Sequence, residues 1–221
     1  MRISALALFA ALVSAAGTTQ AAVRITEWMY NPLGASNFEY VELTNLGPDP
    51  VDMTGWSFDD GTPAGGTPGA FVLLGLGVVA PGESVIVTEG AAALFRTEWS
   101  LSAAVKVAGG NNQNLGRDDQ INVFDSTNAL VDRLTYNDQG SGNVDGPRTQ
   151  GISGNPLTLA VLGTNNASQW VWASVGDNYG SVASVSNDIG NPGRFSIVPK
   201  PSTVSLASAS LLFMGLRRRR N

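Results

Sequence analysis

The sequence of 221 residues contains no cysteine and no histidine. Without cysteine the chain can form neither a disulfide framework nor a thiolate metal site. Without histidine it lacks the usual general base, the Ser-His-Asp arrangement and nearly every kind of zinc or copper site. These absences argue against the common classes of hydrolase and metalloprotein, and they leave a hydrolase of unknown type as a weak alternative.

Positive charge is scarce in the middle of the chain. Six of the 13 basic residues lie near the ends, and all 18 carboxylates lie between Glu27 and Asp188. The seven remaining cations leave the middle of the chain with a net charge of −11. A surface of that charge repels nucleic acid and anionic membranes, so we expect no nucleic-acid partner.

Short alternating segments dominate what is present, and the 26 glycines and 11 prolines indicate many turns. Tyr40, Glu42 and Thr44 alternate with apolar residues, which predicts a strand with one buried face. A second strand is predicted at residues 51–58, which supply its apolar side. A hairpin is predicted at residues 121–124 and 130–136. The closing strands are predicted at residues 157–162 and 169–173. The one predicted helix spans 91–99, where Phe95 and Trp99 are four apart and can pack together.

Eight or nine such strands predict an all-β protein, a β-sandwich that occupies residues 22–197 as one domain. We expect its core to contain the following side chains: Ile25, Trp28, Val41, Leu43, Trp56, Phe58, Val85, Val87, Ile121, Val123, Val131, Leu134 and Trp170.

Residues 1–21 have the layout of a secretory signal peptide. Arg2 gives a positive start, residues 3–13 form an apolar run, and a stretch of small residues predicts cleavage near Ala21. The alternative is a buried helix that belongs to the domain.

An ordered set of motifs resembles the lamin-tail domain of secreted bacterial proteins. The motifs are Ile-Thr-Glu-Trp-Met-Tyr-Asn-Pro at 25–32, Glu-Tyr-Val-Glu-Leu-Thr-Asn at 39–45, Asp-Met-Thr-Gly-Trp-Ser-Phe at 52–58, Val-Asp-Arg-Leu-Thr-Tyr at 131–136 and Gly-Asn-Pro-Gly at 190–193. The resemblance implies an immunoglobulin-like β-sandwich that serves as an interaction module and has no catalytic residues.

Residues 198–221 are similar to the PEP-CTERM sorting signal of Gram-negative bacteria. A 13-residue apolar run, shorter than the ~20 residues of a spanning helix, precedes four arginines that stay on the cytoplasmic side by the positive-inside rule. The resemblance implies transient anchoring in the inner membrane by a C-terminal apolar helix, followed by processing by an exosortase-type membrane protease. Lys200 stands where the family has glutamate, and a plain tail anchor is the alternative. The predicted signal residues are Val198, Pro199, Lys200, Pro201, Ser202, Thr203, Arg217, Arg218, Arg219 and Arg220.

Two groups of residues are candidates for ligand binding. Asp118, Asp119 and Asp125 could supply oxygen ligands to calcium, but solvated turn carboxylates are the favoured interpretation. Trp170 and Trp172 are two apart, so both indoles lie on one face of a strand and could stack on a sugar, but core or sheet-surface aromatics of a sandwich are the favoured interpretation. No other cofactor is expected, and Glu39 and Glu42, three apart, show no glycosidase pairing.

These observations favour a secreted, non-enzymatic interaction module at the cell surface or in the exopolysaccharide matrix. Its expected partners are the processing protease and either an extracellular polysaccharide or another surface protein. A carbohydrate- or calcium-dependent adhesion module is the alternative.

Overall fold

A computed structural model describes residues 23–34, 38–61, 65–138 and 149–196. The predicted signal helix with its cleavage point at Ala21, and the sorting segment 198–221, lie outside the described residues. None of the helices in those four ranges is long and apolar enough to cross a membrane.

Short strands make up most of the described chain. In order the elements are β1 (Val23–Met29), β2 (Tyr40–Asn45), β3 (Val51–Asp52), β4 (Ser57–Asp59), β5 (Phe71–Val72), β6 (Val78–Val79), β7 (Ser84–Thr88), α1 (Ala92–Glu98), β8 (Val107–Gly109), β9 (Asp118–Phe124), β10 (Leu130–Asn137), β11 (Gly154–Pro156), β12 (Trp170–Trp172), β13 (Val182–Ala183) and β14 (Ile189–Gly190), with 3₁₀-helices at Leu159–Val161 and Ala167–Gln169.

The strands form two main sheets, as an immunoglobulin-like β-sandwich requires. The larger sheet has the order β12-β11-β1-β2-β7-β8, and the smaller has the order β10-β9-β4-β5. All neighbours are antiparallel except β7 and β8, which are parallel. Two short ribbons, β3-β6 and β13-β14, complete the fold. The predicted fold class is confirmed.

The side chains predicted for the core all belong to the observed core or pack against it. Eleven of the thirteen expected side chains belong to the main buried cluster, and the other two, Val131 and Trp170, are partly buried against it. Trp28 lies among four aromatic rings, with ring centroids 5.0 Å from Tyr136 and 5.2 Å from Trp172.

A β-bulge decides which side chains of β1 face that core. The register shifts between Ile25 and Glu27, so that two residues of β1 stand against one of β2. Ile25 and Trp28 are three apart and would face opposite sides of a regular strand, but after the bulge both lie in the core. The same shift places Glu27 directly opposite Glu42.

Helix α1 covers part of the outer face of the larger sheet. Phe95 and Trp99 pack together as predicted, with ring centroids 6.4 Å apart. Both rings contact Tyr40 of β2, at centroid distances of 5.3 and 5.8 Å. This second apolar cluster therefore buries a side of β2 that the alternating pattern had predicted to be exposed.

Two predictions about strands are wrong. Residues 51–58 form two strands in different sheets, because a turn at Gly55 (φ +79°) carries the chain across: β3 pairs with β6, whereas β4 pairs with β5 and β9. Residues 157–162 contain a 3₁₀-helix and no strand, and Leu157 and Leu159 are exposed. The predicted hairpin is confirmed as β9-β10.

Candidate functional site

The three aspartates considered for calcium do not come together. Asp118 and Asp119 begin β9, and Asp125 follows the end of this seven-residue strand, about 20 Å away at the rise of a strand. The Asp125 carboxylate closes the hairpin turn, because its Oδ1 accepts from the N–H groups of Thr127 (2.8 Å) and Ala129 (3.0 Å). In the part of the chain that the structure describes, no three carboxylates are grouped so that they could hold a metal ion.

Trp170 and Trp172 both pack against the core residue Trp28. The Trp28 and Trp170 rings are nearly parallel, with an interplanar angle of 8° and centroids 6.2 Å apart. Trp28 and Trp172 are tilted by 51°. The indoles thus share one side of β12, as the spacing predicted, and both contact Trp28, which leaves only the remaining, partly exposed part of each ring for a ligand.

An acidic cluster that the sequence did not indicate lies at one end of the sandwich. The cluster consists of Glu39, Asp60, Glu89 and Asp119, and burial raises the pKa of each of them. Burial, and then the charge of Glu89, raises the pKa of Glu39 to about 8. Burial, and then the charge of Asp119, raises the pKa of Asp60 to about 6. At neutral pH the Glu39 carboxyl is therefore largely protonated.

The backbone at 115–116 holds this cluster in place. The N–H of Leu115 donates to Glu39 Oε2 (2.9 Å), and the N–H of Gly116 donates to Asp119 Oδ2 (2.7 Å). With its amide oriented to satisfy its neighbours, Gln113 donates to Asp59 and Asp60 at 2.9 and 3.1 Å. The carboxylates are thus used to bind loops onto the end of the sandwich.

A second buried carboxylate pair lies on the outer face of the larger sheet. Glu27 and Glu42 are both 0% exposed and are directly opposite each other on β1 and β2. Glu27 Oε1 accepts from Tyr40 Oη (2.7 Å) and Ser153 Oγ (2.5 Å). Glu42 Oε1 accepts from Thr26 Oγ1 (2.7 Å). The two ion pairs within the described ranges, Lys106–Glu83 and Arg117–Asp138, involve neither residue.

The segment that follows β14, residues 191–195, covers this pair and is here called the C-terminal strap. Its backbone donates to both carboxylates. The bonds are Asn191 N–H to Glu27 Oε1 (2.8 Å), Gly193 N–H to Glu42 Oε2 (2.7 Å) and Arg194 N–H to Glu42 Oε2 (3.1 Å). Phe195 N–H then donates to Ser84 Oγ (3.2 Å). The polar face of β1 and β2 is therefore an anchoring surface for the end of the fold.

The protonation of the pair follows from its burial. Removal from water, and then the neighbouring charge of Glu42, raises the pKa of Glu27 to about 8. Burial likewise raises the pKa of Glu42 to about 7, against the opposing effect of its hydrogen bonds. Two carboxyls in contact share their titration, so near neutral pH the pair holds at least part of its protons.

The chain was compared with models of known protein families. The family model of the lamin tail domain matches residues 16–138, more than half of the chain. The chain belongs to the lamin tail domain family. No curated protein matches the chain.

The matched part of this lamin tail domain protein does not include everything that completes the sandwich. It contains β1 to β10 and α1, and with them Glu27, Glu42 and the acidic cluster. Strands β11 to β14 and the strap come after Asp138. The carboxylate pair thus lies in the matched part, and the backbone that binds it lies outside.

The burial of Glu27 and Glu42 could not be predicted from the sequence around each residue. Glu27 and Glu42 each stand in a strand that alternates, where a polar residue is ordinarily exposed. The available signal was the Gly-Asn-Pro-Gly motif at 190–193, one of the motifs that resemble the lamin-tail domain, because it supplies the backbone that covers the pair.

Proposed function

We propose that this protein is an exported, non-enzymatic interaction module of the cell surface or the extracellular matrix. The observation that carries the proposal is the lamin tail domain match over residues 16–138, since this family is immunoglobulin-like and non-catalytic. Sandwiches of this kind present loops and edges to partners while the strands maintain the shape.

The use of the acidic side chains supports a binding role over a catalytic one. Glu27, Glu42, Glu39 and Asp119 all accept hydrogen bonds from backbone N–H groups that fix loops or the strap. Carboxylates engaged in this way are covered by the fold, whereas a catalytic carboxylate needs access to a substrate.

Export and sorting complete the proposal. The signal-like residues 1–21 direct the chain out of the cytoplasm, and residues 198–221 hold it briefly in the inner membrane until an exosortase-type protease removes them. The resemblance of the C-terminal segment to PEP-CTERM signals supports this step, and it also supports a final location at the cell surface or in the exopolysaccharide matrix.

The test is the intact mass of the protein recovered from each cell fraction of its native host. A mass that ends near Pro199 or Pro201, found outside the cell, is the expected result. A full-length tail retained in the inner membrane would mean that Lys200 has spoiled the signal or that the tail is a plain anchor, and it would overturn the proposed sorting.

A carbohydrate- or calcium-dependent adhesion module is the second candidate, favoured by the partial exposure of Trp170 and Trp172 on one side of β12. A sugar that uses them should quench tryptophan fluorescence in the parent and not in a Trp172→Leu variant. Calcium dependence predicts a higher melting temperature at millimolar calcium, and an unchanged melt removes that part.

A further inference from the structure

A cleft opens between the end of α1 and the chain after β12. Its lining includes Trp99, Leu101, Val182, Asn191, Pro192 and Arg194. Including the part that faces solvent, its volume is about 260 Å³, smaller than the pockets that hold drug-sized ligands. A ligand for this cleft is therefore about the size of one amino-acid residue.

Arg194 is the charged residue in the lining of the cleft. Among the cations of the described ranges, Arg194 alone has a side chain that makes no hydrogen bond or ion pair. Its backbone is engaged, because its N–H donates to Glu42 and its carbonyl oxygen accepts from Asn191. The other described cations are engaged through their side chains: Arg24 with Val131, Arg96 with Val105, Lys106 with Glu83, Arg117 with Asp138 and Arg133 with Asn122. Arg194 is exposed and its guanidinium has no partner among the described residues, so in a domain of net charge −11 it is available for an external anion.

The rest of the lining is mainly apolar. Leu101, Val182 and Pro192 provide aliphatic surface, and Val182 is 47% exposed. Trp99 forms a buried wall, and its indole N–H has no acceptor among the described residues. The Asn191 amide is already engaged, since it donates to Arg194 O (2.8 Å) and accepts from Ser181 Oγ (3.3 Å).

We propose that this cleft binds the free C-terminal carboxylate of a peptide whose last residue is apolar. A guanidinium recognises a carboxylate through two parallel hydrogen bonds, and capture of a chain terminus is a known mode of peptide recognition. A sugar acid carries the same carboxylate, but its hydroxyls would meet Leu101, Val182 and Pro192 without partners. The assignment names a partner for the proposed interaction module, and as a binding property it does not depend on the route of export.

The test uses the purified protein labelled with ¹⁵N and follows its tryptophan indole signals during titration with N-acetyl-leucine. A Trp99→Phe variant assigns the Trp99 signal. We expect that signal to shift with N-acetyl-leucine and not with N-acetyl-leucinamide, which has the same side chain and no charge. Arg194→Gln should weaken binding at least tenfold, whereas Lys106→Gln, which removes a surface charge elsewhere, should leave it unchanged.

Three results would overturn the assignment. No response to N-acetyl-leucine removes the site, and unchanged affinity in Arg194→Gln removes the role of the guanidinium. A response to glucuronate as strong as that to N-acetyl-leucine makes the cleft a general carboxylate site and not a peptide site. None of these results alters the masses measured in cell fractions, so a failure here is distinct from a failure of the proposed sorting.

Discussion

Glu27 and Glu42 are neighbouring carboxyls in a site that excludes water and contains no cation from the described residues. Two like charges directly opposite each other destabilise a sheet, and an unpaired buried charge is costlier than a buried neutral acid. The fold accommodates the pair by retaining protons and by surrounding it with N–H and O–H donors. The pair therefore stabilises the fold best when it is not fully ionised.

A pH dependence of stability follows. The folded-state pKa values of Glu27 and Glu42 lie at about 8 and 7, above the value of 4.5 for an unperturbed glutamate. A raised folded-state pKa gives stability that is fully present below the unfolded value and is lost as the pH rises through the folded value. We expect the free energy of unfolding, measured in urea, to fall between pH 5 and pH 8, and Glu39 adds to the fall in the same direction.

A Glu27→Gln variant distinguishes the contribution of the Glu27–Glu42 pair to this pH dependence from the contribution of Glu39. The amide is isosteric and cannot ionise, so this variant should lose less stability between pH 5 and pH 8 than the parent does. Glu83→Gln, at the surface pair with Lys106, is the control that should leave the pH profile unchanged. A Glu27→Gln profile identical to that of the parent would contradict the assignment.

Substitution of Trp56 tests whether this side chain belongs to the core. Its side chain is 7% exposed within the main apolar cluster, and removal of a large buried aromatic costs about 3–5 kcal/mol. Trp56→Ala should therefore lower the melting temperature strongly or leave the protein unfolded, as thermal denaturation followed by circular dichroism would show. A variant that melts with the parent would mean that Trp56 is not a core residue.

The C-terminal strap depends on a close approach at Gly190, the last residue of β14. A Cβ at this position would lie 2.8 Å from Glu27 Oε1 and 3.1 Å from Ser153 Oγ. Gly190→Ala should push the strap away from the sheet and cost about 1–3 kcal/mol, the usual range for overpacking. Unfolding in urea measures the loss, and amide hydrogen exchange of Gly193 and Arg194 should speed up.

Gly176→Ala is the matched control for the strap. Gly176 has a positive φ of +81° and nothing within 4 Å of a built Cβ, so its substitution costs only the backbone preference of about 1 kcal/mol. It should not change hydrogen exchange in the strap. Equal exchange in the two variants would show that Gly190 has no special contact.

The elements that the sequence predicted well are those set by local pattern. The hairpin β9-β10 and the helix with Phe95 and Trp99 needed only alternation, a turn and a four-residue spacing. Residues 51–58 were misjudged because Gly55 turns the chain between two apolar runs that read as one strand. Ile25 and Trp28 were placed in the core correctly, but only the bulge explains how both can face it.

The candidate site was less predictable because its parts are distant along the chain. The bonds from the strap to Glu27 and Glu42 join residues that are 164 and 151 positions apart. No periodicity within β1 or β2 can indicate that a later segment will cover their polar face. Asp118 and Asp125, which are close in sequence, are separated by the whole of β9.

At the scale of the whole molecule, the sandwich is built from two stretches of chain. Residues up to Asp138 provide most of both sheets, and this is where the lamin tail domain match ends. Residues 149–196 then add β11 and β12 beside β1 and bring the strap over β1 and β2. The second stretch thus completes both faces of the strand that carries Trp28 and Glu27.

This division predicts that the matched part does not fold alone. A chain ending at Asp138 loses the packing of Trp170 and Trp172 on Trp28, each worth up to about 3 kcal/mol. It also loses the donors from Ser153 and the strap to the carboxylate pair, at roughly 1 kcal/mol or more each. Together these losses approach about 10 kcal/mol, which is comparable with the whole stability of a domain.

The measurement is the thermal melt and the ¹H–¹⁵N spectrum of two truncated chains. The chain ending at Asp138 should show no cooperative transition and little signal dispersion, because both faces of β1 have lost a large part of their cover. The chain ending at Ser196 retains every contact of the described fold and should melt with the full-length protein. A cooperative melt of the shorter chain near the temperature of the longer one would show that β11, β12 and the strap are accessories to a sandwich already stable without them.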